Sequence, residues 1–206
     1  MGRRTCEATA SASSKRITRN GVPAEALEQL FMPQSDNSRM VFLHGDVTEN
    51  AISNVIAQLL LLANDSQAPI YLVVSTYGGS LDEMFSLYDT IKFLPCPVHT
   101  VALGKVMSAG VLLLASGAKG KRLIGASARI MMHPLSAGVY GNVFEIENET
   151  KEAKRLQTLM VDALVKETKM TRAQVEKVMN PGLDYYVTPT DAVKFGIVDK
   201  IIGSDR

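Results

Sequence analysis

From Arg39 onward the chain alternates between two apolar patterns. Short runs rich in β-branched residues predict buried strands, and longer runs with apolar residues at helical spacing predict amphipathic helices. The predicted strands cover 40–44, 70–75 and 98–103, and the predicted helices cover 50–63, 81–94 and 108–116. Such alternation is typical of stacked βαβ units, so we expect an α/β fold with parallel strands.

The first twenty residues have a different composition from the rest. They are rich in Ser, Ala and Arg, contain one acidic residue and show no apolar periodicity. This composition predicts a flexible N-terminal segment over 1–20, either a propeptide or a transit peptide. Residues 21–206 are expected to form a single domain.

Composition excludes several classes of function. The chain has 206 residues, of which 46% are hydrophobic, and a net charge of +1, so it can bury one sizeable core and has no basic footprint for nucleic acid. No apolar run reaches membrane-spanning length. Cys6 and Cys96 lie in unlike contexts, which argues against a disulfide and favours a reducing compartment. Neither they nor the three histidines form a cluster, and we expect no metal and no cofactor.

Ser108 lies where a strand pattern gives way to a helix pattern. Gly104 is expected to end the strand, and Ser108 then opens an apolar helix. The first N–H groups of a helix have no partner within it, so an oxyanion that formed beside Ser108 would find hydrogen-bond donors there. These features suit a nucleophile, but a serine that only caps a buried helix would give the same pattern.

Two further residues complete a possible catalytic set. His133 follows a predicted strand over 128–132, and Pro134 prevents that strand from continuing. Asp184 precedes a short β-like run, after which Thr188 and Pro189 begin a helix. Histidine is a common general base and aspartate can orient it. A core or surface histidine and a solvated loop aspartate are the alternatives.

Several motifs together resemble the ClpP family of self-compartmentalising serine peptidases. The resemblance spans about 40–202 and is carried, in the family's order, by FLHGDV at 42–47, IYLVVSTYGG at 70–79, YDTIKF at 88–93, GKVMSAGVLLLASGAKGKR at 104–122, ARIMMHPL at 128–135 and AVKFGIVDKI at 192–201. It implies a ClpP/crotonase-like spiral of βαβ units with a protruding handle helix, the handle covering about 135–169. It also favours a propeptide over a transit peptide for 1–20.

The resemblance assigns roles to individual residues. Ser108 is the implied nucleophile, His133 the general base and Asp184 the orienting acid. The N–H groups of Gly79 and Ala109 are the implied oxyanion donors. A peptide substrate is expected to lie extended against Gly78 and Leu135, and Tyr71 and Val73 fall on the family's docking pocket for its unfoldase.

The resemblance also implies an assembly. It predicts an ATP-dependent Clp protease proteolytic subunit, a homo-oligomer of heptameric rings stacked in pairs. Unfolded polypeptides would be hydrolysed inside this chamber after delivery by an AAA+ unfoldase of the Clp family. Other ClpP-like subunits are further candidate partners, whereas nucleic acid and membranes are not. We expect a cytoplasmic protein, with the plastid stroma and the cytoplasm of a virus-infected host as alternatives.

Three departures from the family pattern leave alternatives open. Tyr77 stands where the family has Pro and is expected to narrow the site, Ala109 replaces Met, and Pro134 replaces Gln. One alternative is a catalytically weak scaffold subunit of a mixed ring, in which the three residues are present but misaligned. A crotonase-type acyl-CoA hydratase or isomerase is another, although such enzymes act through carboxylates and need no Ser-His-Asp set.

Overall fold

The computed structural model of the chain describes residues 39–179 and 183–203. The predicted segment 1–20 lies outside the described residues, as does the start of the predicted domain, 21–38. In the described part the strands are β1 Met40–His44, β2 Ile70–Thr76, β3 Val98–Met107, β4 Arg122–Gly125, β5 Arg129–Met132, β6 Tyr185–Val187 and β7 Lys200–Ile202. The helices there are α1 Glu49–Asp65, α2 Leu81–Phe93, α3 Ala109–Ala115, α4 Val143–Glu167, α5 Arg172–Val178 and α6 Pro189–Lys194.

The strands form one largely parallel sheet. Strands β1, β2, β3, β4 and β7 are neighbours in that order and run parallel. Strand β5 runs parallel to the second half of β3, and β6 pairs with β5 in the antiparallel direction. Parallel neighbours need a crossover connection, which α1 supplies between β1 and β2 and α2 supplies between β2 and β3. The predicted α/β fold built from βαβ units is confirmed.

Strand β3 is longer than its sequence pattern predicts. The expectation that Gly104 ends this strand is wrong: the strand continues to Met107, and Gly104 adopts a φ of +71° within it. The register between β2 and β3 shifts at this point, which marks a bulge. Beyond Gly104 the strand pairs with β5 instead of β4. Ser108, which follows the strand, is thereby brought to the end of β5.

Helix α3 is the centre of the hydrophobic core. All of its residues are buried, and it packs against β3, α2 and α4. A seven-residue helix is too short to be stable alone in water, so its position depends on this packing. The first turn of α3, which follows Ser108, is therefore fixed by the core.

Helix α4 is the predicted handle helix, and its two ends have different environments. At its start, the side chains of Asn142 and Glu145 form a reciprocal capping box, and the residues of the first turns are exposed. Toward its end the helix buries Met160, Leu164 and Glu167 against the core. The segment 133–142 that leads into it contains no strand. None of the helices in the described residues, α4 included, combines the length and apolar character needed to cross a membrane.

A buried carboxylate anchors the end of α4. Glu167 is 3% exposed and accepts hydrogen bonds from the Tyr88 hydroxyl at 2.9 Å and from the Lys92 and Lys119 ammonium groups at 2.8 and 3.0 Å. Burial raises the pKa of Glu167, but these three hydrogen bonds outweigh burial and hold the pKa below its ordinary value. Arg122 donates to the Glu167 backbone carbonyl at 2.8 Å. The carboxyl-terminal part of α4 is therefore tied to the core by charge as well as by packing.

Candidate active site

Ser108 occupies a strained turn between β3 and α3. Its backbone has a φ of 53° and a ψ of −124°. Among the described residues, it is the one residue other than glycine with a positive φ. Such backbone conformations cost on the order of 1–3 kcal/mol and are concentrated at functional sites. The Ser108 N–H donates to the Met131 carbonyl of β5 at 2.8 Å, which holds the turn in place. Although Ser108 stands at the N-cap position of α3, its side chain makes no capping hydrogen bond, so capping does not account for this serine.

Gly78 and Gly79 form a loop that is pressed against Ser108. Gly78 has a φ of +101°, and a Cβ built on it would lie 2.6 Å from the Ser108 Cβ. Gly79 has a φ of +150°, and its Cβ would lie 2.3 Å from the Val47 carbonyl oxygen. The Val47 N–H donates to the Gly78 carbonyl at 2.8 Å, and the Ser80 N–H donates to the Val47 carbonyl at 3.0 Å. Only glycine fits both positions, because each needs positive φ and a close backbone approach.

Two backbone donors beside Ser108 are free. Ala109 is the first residue of α3, where an N–H has no partner within the helix. Within the described residues, no acceptor pairs with the N–H of either Ala109 or Gly79. Both glycines and Ala109 border the same cleft as Ser108. An oxyanion hole requires donors of this kind, arranged before the reaction begins.

His133 and Ser108 line the same cleft. The cleft has a volume of about 600 Å³. It brings together the predicted site residues Gly78, Gly79, Ser108, Ala109, His133 and Leu135. Ser108 and His133 are both half-buried, so each is partly shielded from water and still open to a substrate. Residues that follow the ends of β2, β3 and β5, far apart in sequence, thus meet at one site.

Asp184 does not line this cleft, but the strand register places it beside His133. In the antiparallel pair of β5 and β6, Met131 lies opposite Tyr186 and Met132 opposite Tyr185. The observed pairs end there, and continuing the same register by one position would set His133 opposite Asp184. Asp184 is exposed, and no hydrogen bond joins its carboxylate to the His133 ring in the described structure. The register therefore directs Asp184 toward His133, but no hydrogen bond joins their side chains in the described structure.

Comparison with known proteins decides the family. The Clp protease family model matches residues 26–205. The chain belongs to the Clp protease family. It is 35% identical over 171 residues to a protein of Deinococcus radiodurans, and the match covers 82% of each chain. It is 36% identical over 165 residues to a protein of Borrelia garinii subsp. bavariensis, and this match covers 80% of this chain and 84% of the relative. Both relatives are named ATP-dependent Clp protease proteolytic subunit.

Family membership confirms the predicted class of enzyme. A third relative, from Borreliella burgdorferi, is 35% identical over 165 residues and is named ATP-dependent Clp protease proteolytic subunit 1. The chain is thus a serine endopeptidase of the Clp type. Its family membership favours a peptidase over a crotonase-type hydratase or isomerase.

The described ranges contain no group of three or more His, Cys, Asp or Glu side chains suited to a metal ion.

Sequence reasoning did not identify the wall of the cleft that α4 provides. Gln157, Met160 and Leu164 line the cleft from this helix, and Met179 lines it from the residue after α5. The helical spacing of Met160 and Leu164 predicts a buried face, but nothing local indicates what that face contacts. Gln157 lies three residues before Met160 on the same helix face. A polar amide within this otherwise apolar face is the sequence feature that could have indicated a contact with the cleft.

Tyr77 is one of the residues that line the cleft. Its side chain is exposed, and the Lys105 ammonium lies 4.4 Å from the centre of its ring. This cation–π contact is of a kind that contributes about 0.5–1 kcal/mol at exposed sites, so it favours one position of the ring.

The two residues predicted to dock an unfoldase differ in accessibility. Tyr71 is half-buried, with its ring edge-on to His99 at 4.9 Å between ring centres. Val73 is 2% exposed in the single chain and lies within the sheet. Of the two, Tyr71 therefore has the side-chain surface that a partner could contact.

Proposed function

We propose that this Clp-family chain hydrolyses peptide bonds with Ser108 as the nucleophile and His133 as its general base. The observation that carries the proposal is the strained Ser108 turn. It shares one cleft with His133 and lies next to two N–H groups that have no acceptor among the described residues. A helix cap needs no such surroundings. A serine nucleophile needs a base, an oxyanion site and access to substrate.

The reaction follows from the chemistry of these groups. The His133 imidazole removes the Ser108 hydroxyl proton while Oγ attacks the scissile carbonyl carbon, and the N–H groups of Gly79 and Ala109 bind the resulting oxyanion. The C–N bond then breaks, and His133 returns the proton to the leaving amine. Water, deprotonated by His133, hydrolyses the acyl-enzyme and restores Ser108.

Asp184 is proposed to orient the base. Its place opposite His133 in the strand register supports this role. A carboxylate there would accept from the imidazole N–H, hold one tautomer and stabilise the imidazolium. In the single chain the two side chains make no hydrogen bond, so the proposal requires one of them to change position.

The substrate is proposed to be an unfolded polypeptide in extended form. Main-chain contacts with Gly78 and Leu135 would bind any sequence, because they do not depend on side chains. The apolar wall formed by Val111, Met160 and Leu164 would favour an apolar side chain next to the scissile bond.

Assembly and a partner complete the proposal. Large apolar side chains are exposed before and within the first turn of α4, where Tyr140, Val143 and Phe144 are 102%, 67% and 83% exposed. Large apolar side chains grouped on a surface are typical of interfaces, and this group supports our proposal that the handles associate and join heptameric rings in stacked pairs. The relatives are called ATP-dependent, whereas this sequence contains no P-loop, so ATP would be used by a separate AAA+ unfoldase.

Labelling with a fluorophosphonate, followed by peptide mapping, tests the assignment. We expect the probe on Ser108, and we expect Ser108→Ala to abolish both labelling and hydrolysis of a fluorogenic peptide while the oligomer persists. Ser127→Ala is the matched control, because Ser127 is exposed in a turn away from the cleft. Normal hydrolysis by Ser108→Ala would refute the proposal, and absence of labelling in the wild type would indicate a scaffold subunit.

A further inference from the structure

The segment that follows His133 is held by one side chain of the handle helix. Residues 133–141 adopt no regular structure, and Pro134 has no N–H to donate. The Leu135 N–H donates to the Gln157 side-chain oxygen at 2.7 Å. Among the described residues, segment 133–141 makes this one hydrogen bond. The position of the segment therefore depends on Gln157.

Gln157 is itself attached to a rigid part of the molecule. It lies on α4 immediately before the stretch that buries Met160 and Leu164, and the same helix ends in the buried Glu167 cluster. Its side chain is half-buried at the wall of the cleft. The acceptor oxygen is therefore fixed to the core, although the exposed first half of α4 is not.

His133 lies between two attachment points of the backbone. On one side Met132 is paired with Tyr185 in the sheet, and on the other side Leu135 is bonded to Gln157. Removing the second point would leave the backbone of His133 attached on one side only. A general base must stay within hydrogen-bond reach of its proton donor, and small displacements are costly to the rate.

We infer that Gln157 is a positioning residue that holds His133 in register with Ser108 through the backbone of Leu135. The inference rests on the proposed function of His133. It also implies that the Leu135 N–H is already occupied before substrate binds, so a peptide would bond to Leu135 through its carbonyl. The inference assigns to the handle helix a direct part in the geometry of the base.

Two substitutions of similar size separate positioning from packing. Gln157→Met keeps the length of the side chain and its helix propensity but removes the acceptor, whereas Gln157→Glu keeps an acceptor oxygen. Thr158→Ala, an exposed neighbour on the same helix outside the cleft, is the control. Fluorogenic peptide kinetics, fluorophosphonate labelling rates at Ser108, thermal unfolding and sedimentation are measured for all three.

For Gln157→Met we expect kcat and the labelling rate to fall together by about three- to tenfold, as for the loss of one hydrogen bond. We expect KM and the oligomer to stay unchanged, and the melting temperature to fall by no more than about 4 °C, as for the loss of one hydrogen bond. Gln157→Glu should retain at least about half of the wild-type rate, and Thr158→Ala should match the wild type.

Several outcomes would overturn the inference. Wild-type kcat in Gln157→Met, or equal losses in the Met and Glu variants, would mean that the acceptor does not matter. A lower KM with unchanged or higher kcat would mean that Gln157 instead blocks a substrate site at Leu135. If Ser108→Ala kept its activity, the proposed function would fail first; if Ser108→Ala were inactive and Gln157→Met normal, the positioning role alone would fail.

Discussion

Replacement of Gly78 by alanine is the most direct test of the site's geometry. The new Cβ would lie 2.6 Å from the Ser108 Cβ and 2.9 Å from the Met107 carbonyl oxygen. Two carbon atoms at optimal separation are about 3.5 Å apart, so the loop and Ser108 must separate by roughly 0.9 Å. A displacement of about 1 Å at a catalytic group can cost about 10²-fold in rate. We therefore expect kcat/KM for a fluorogenic peptide to fall by about 10²-fold.

Gly120→Ala is the control for backbone strain. Gly120 has a φ of +81°, similar to the +101° of Gly78, but a Cβ there would meet nothing within 4 Å. Both variants place alanine in a left-handed conformation, at a cost of roughly 1–2 kcal/mol. Only Gly78→Ala adds steric overlap, which costs typically about 1–3 kcal/mol more. We expect Gly120→Ala to lose some stability and to keep its peptidase activity.

Peptide kinetics, urea unfolding and sedimentation of both variants complete this test. The expected pattern is a large loss of activity in Gly78→Ala at an intact oligomer, with near-normal activity in Gly120→Ala. Activity of Gly78→Ala within a few-fold of the wild type would show that the glycine loop and Ser108 are not in contact as described.

Two further outcomes are expected. Asp184→Asn should assemble normally but lose on the order of 10³- to 10⁴-fold in kcat, since an amide favours the wrong imidazole tautomer. If a peptide assay instead gave activity near that of the wild type, the orienting role would belong to another group. Glu167→Gln should lower the free energy of unfolding by about 1–3 kcal/mol at neutral pH, because Lys92, Lys119 and Tyr88 lose a charged acceptor while the two lysines can still reach water. Because the native pKa of Glu167 lies below its ordinary 4.5, this stabilisation is complete above that value and is lost as the pH falls through the native pKa. Urea titrations of both proteins between about pH 3 and 7 should therefore converge at the acid end; a difference that stays constant with pH would contradict this account.

The elements with local signals could be predicted closely from the sequence. Strand β1 covers the predicted residues 40–44, and α2 begins at the predicted residue, Leu81, after a Ser80 that caps it. Thr188 and Pro189 likewise begin α6 as their residue types indicate. In each case the signal lies within a few residues: the alternation of burial along a strand, or a side chain that bonds a free N–H at a helix start.

Gly104 shows where local reasoning fails. A glycine after an apolar run is a common end of a strand, but here pairing with β5 continues the strand beyond it. Strands β4 and β7 and helix α5 were not predicted, because each is short and takes its stability from neighbours distant in sequence. Whether a short run forms a strand depends on a partner strand, which its own residues do not reveal.

For the site, the sequence by itself determined the chemistry that is available. It places a serine before an apolar helix, a histidine and an aspartate at strand boundaries, and a glycine pair after β2, and these residue types carry the resemblance to the Clp protease family. Only the tertiary structure decided which of them meet. The pairing of β5 with β3 and β6 brings Ser108 and His133 to one cleft and Asp184 opposite His133. The packing of α4 places Gln157 on the backbone of Leu135, since contacts between residues so far apart arise from burial of the shared core rather than from any local preference.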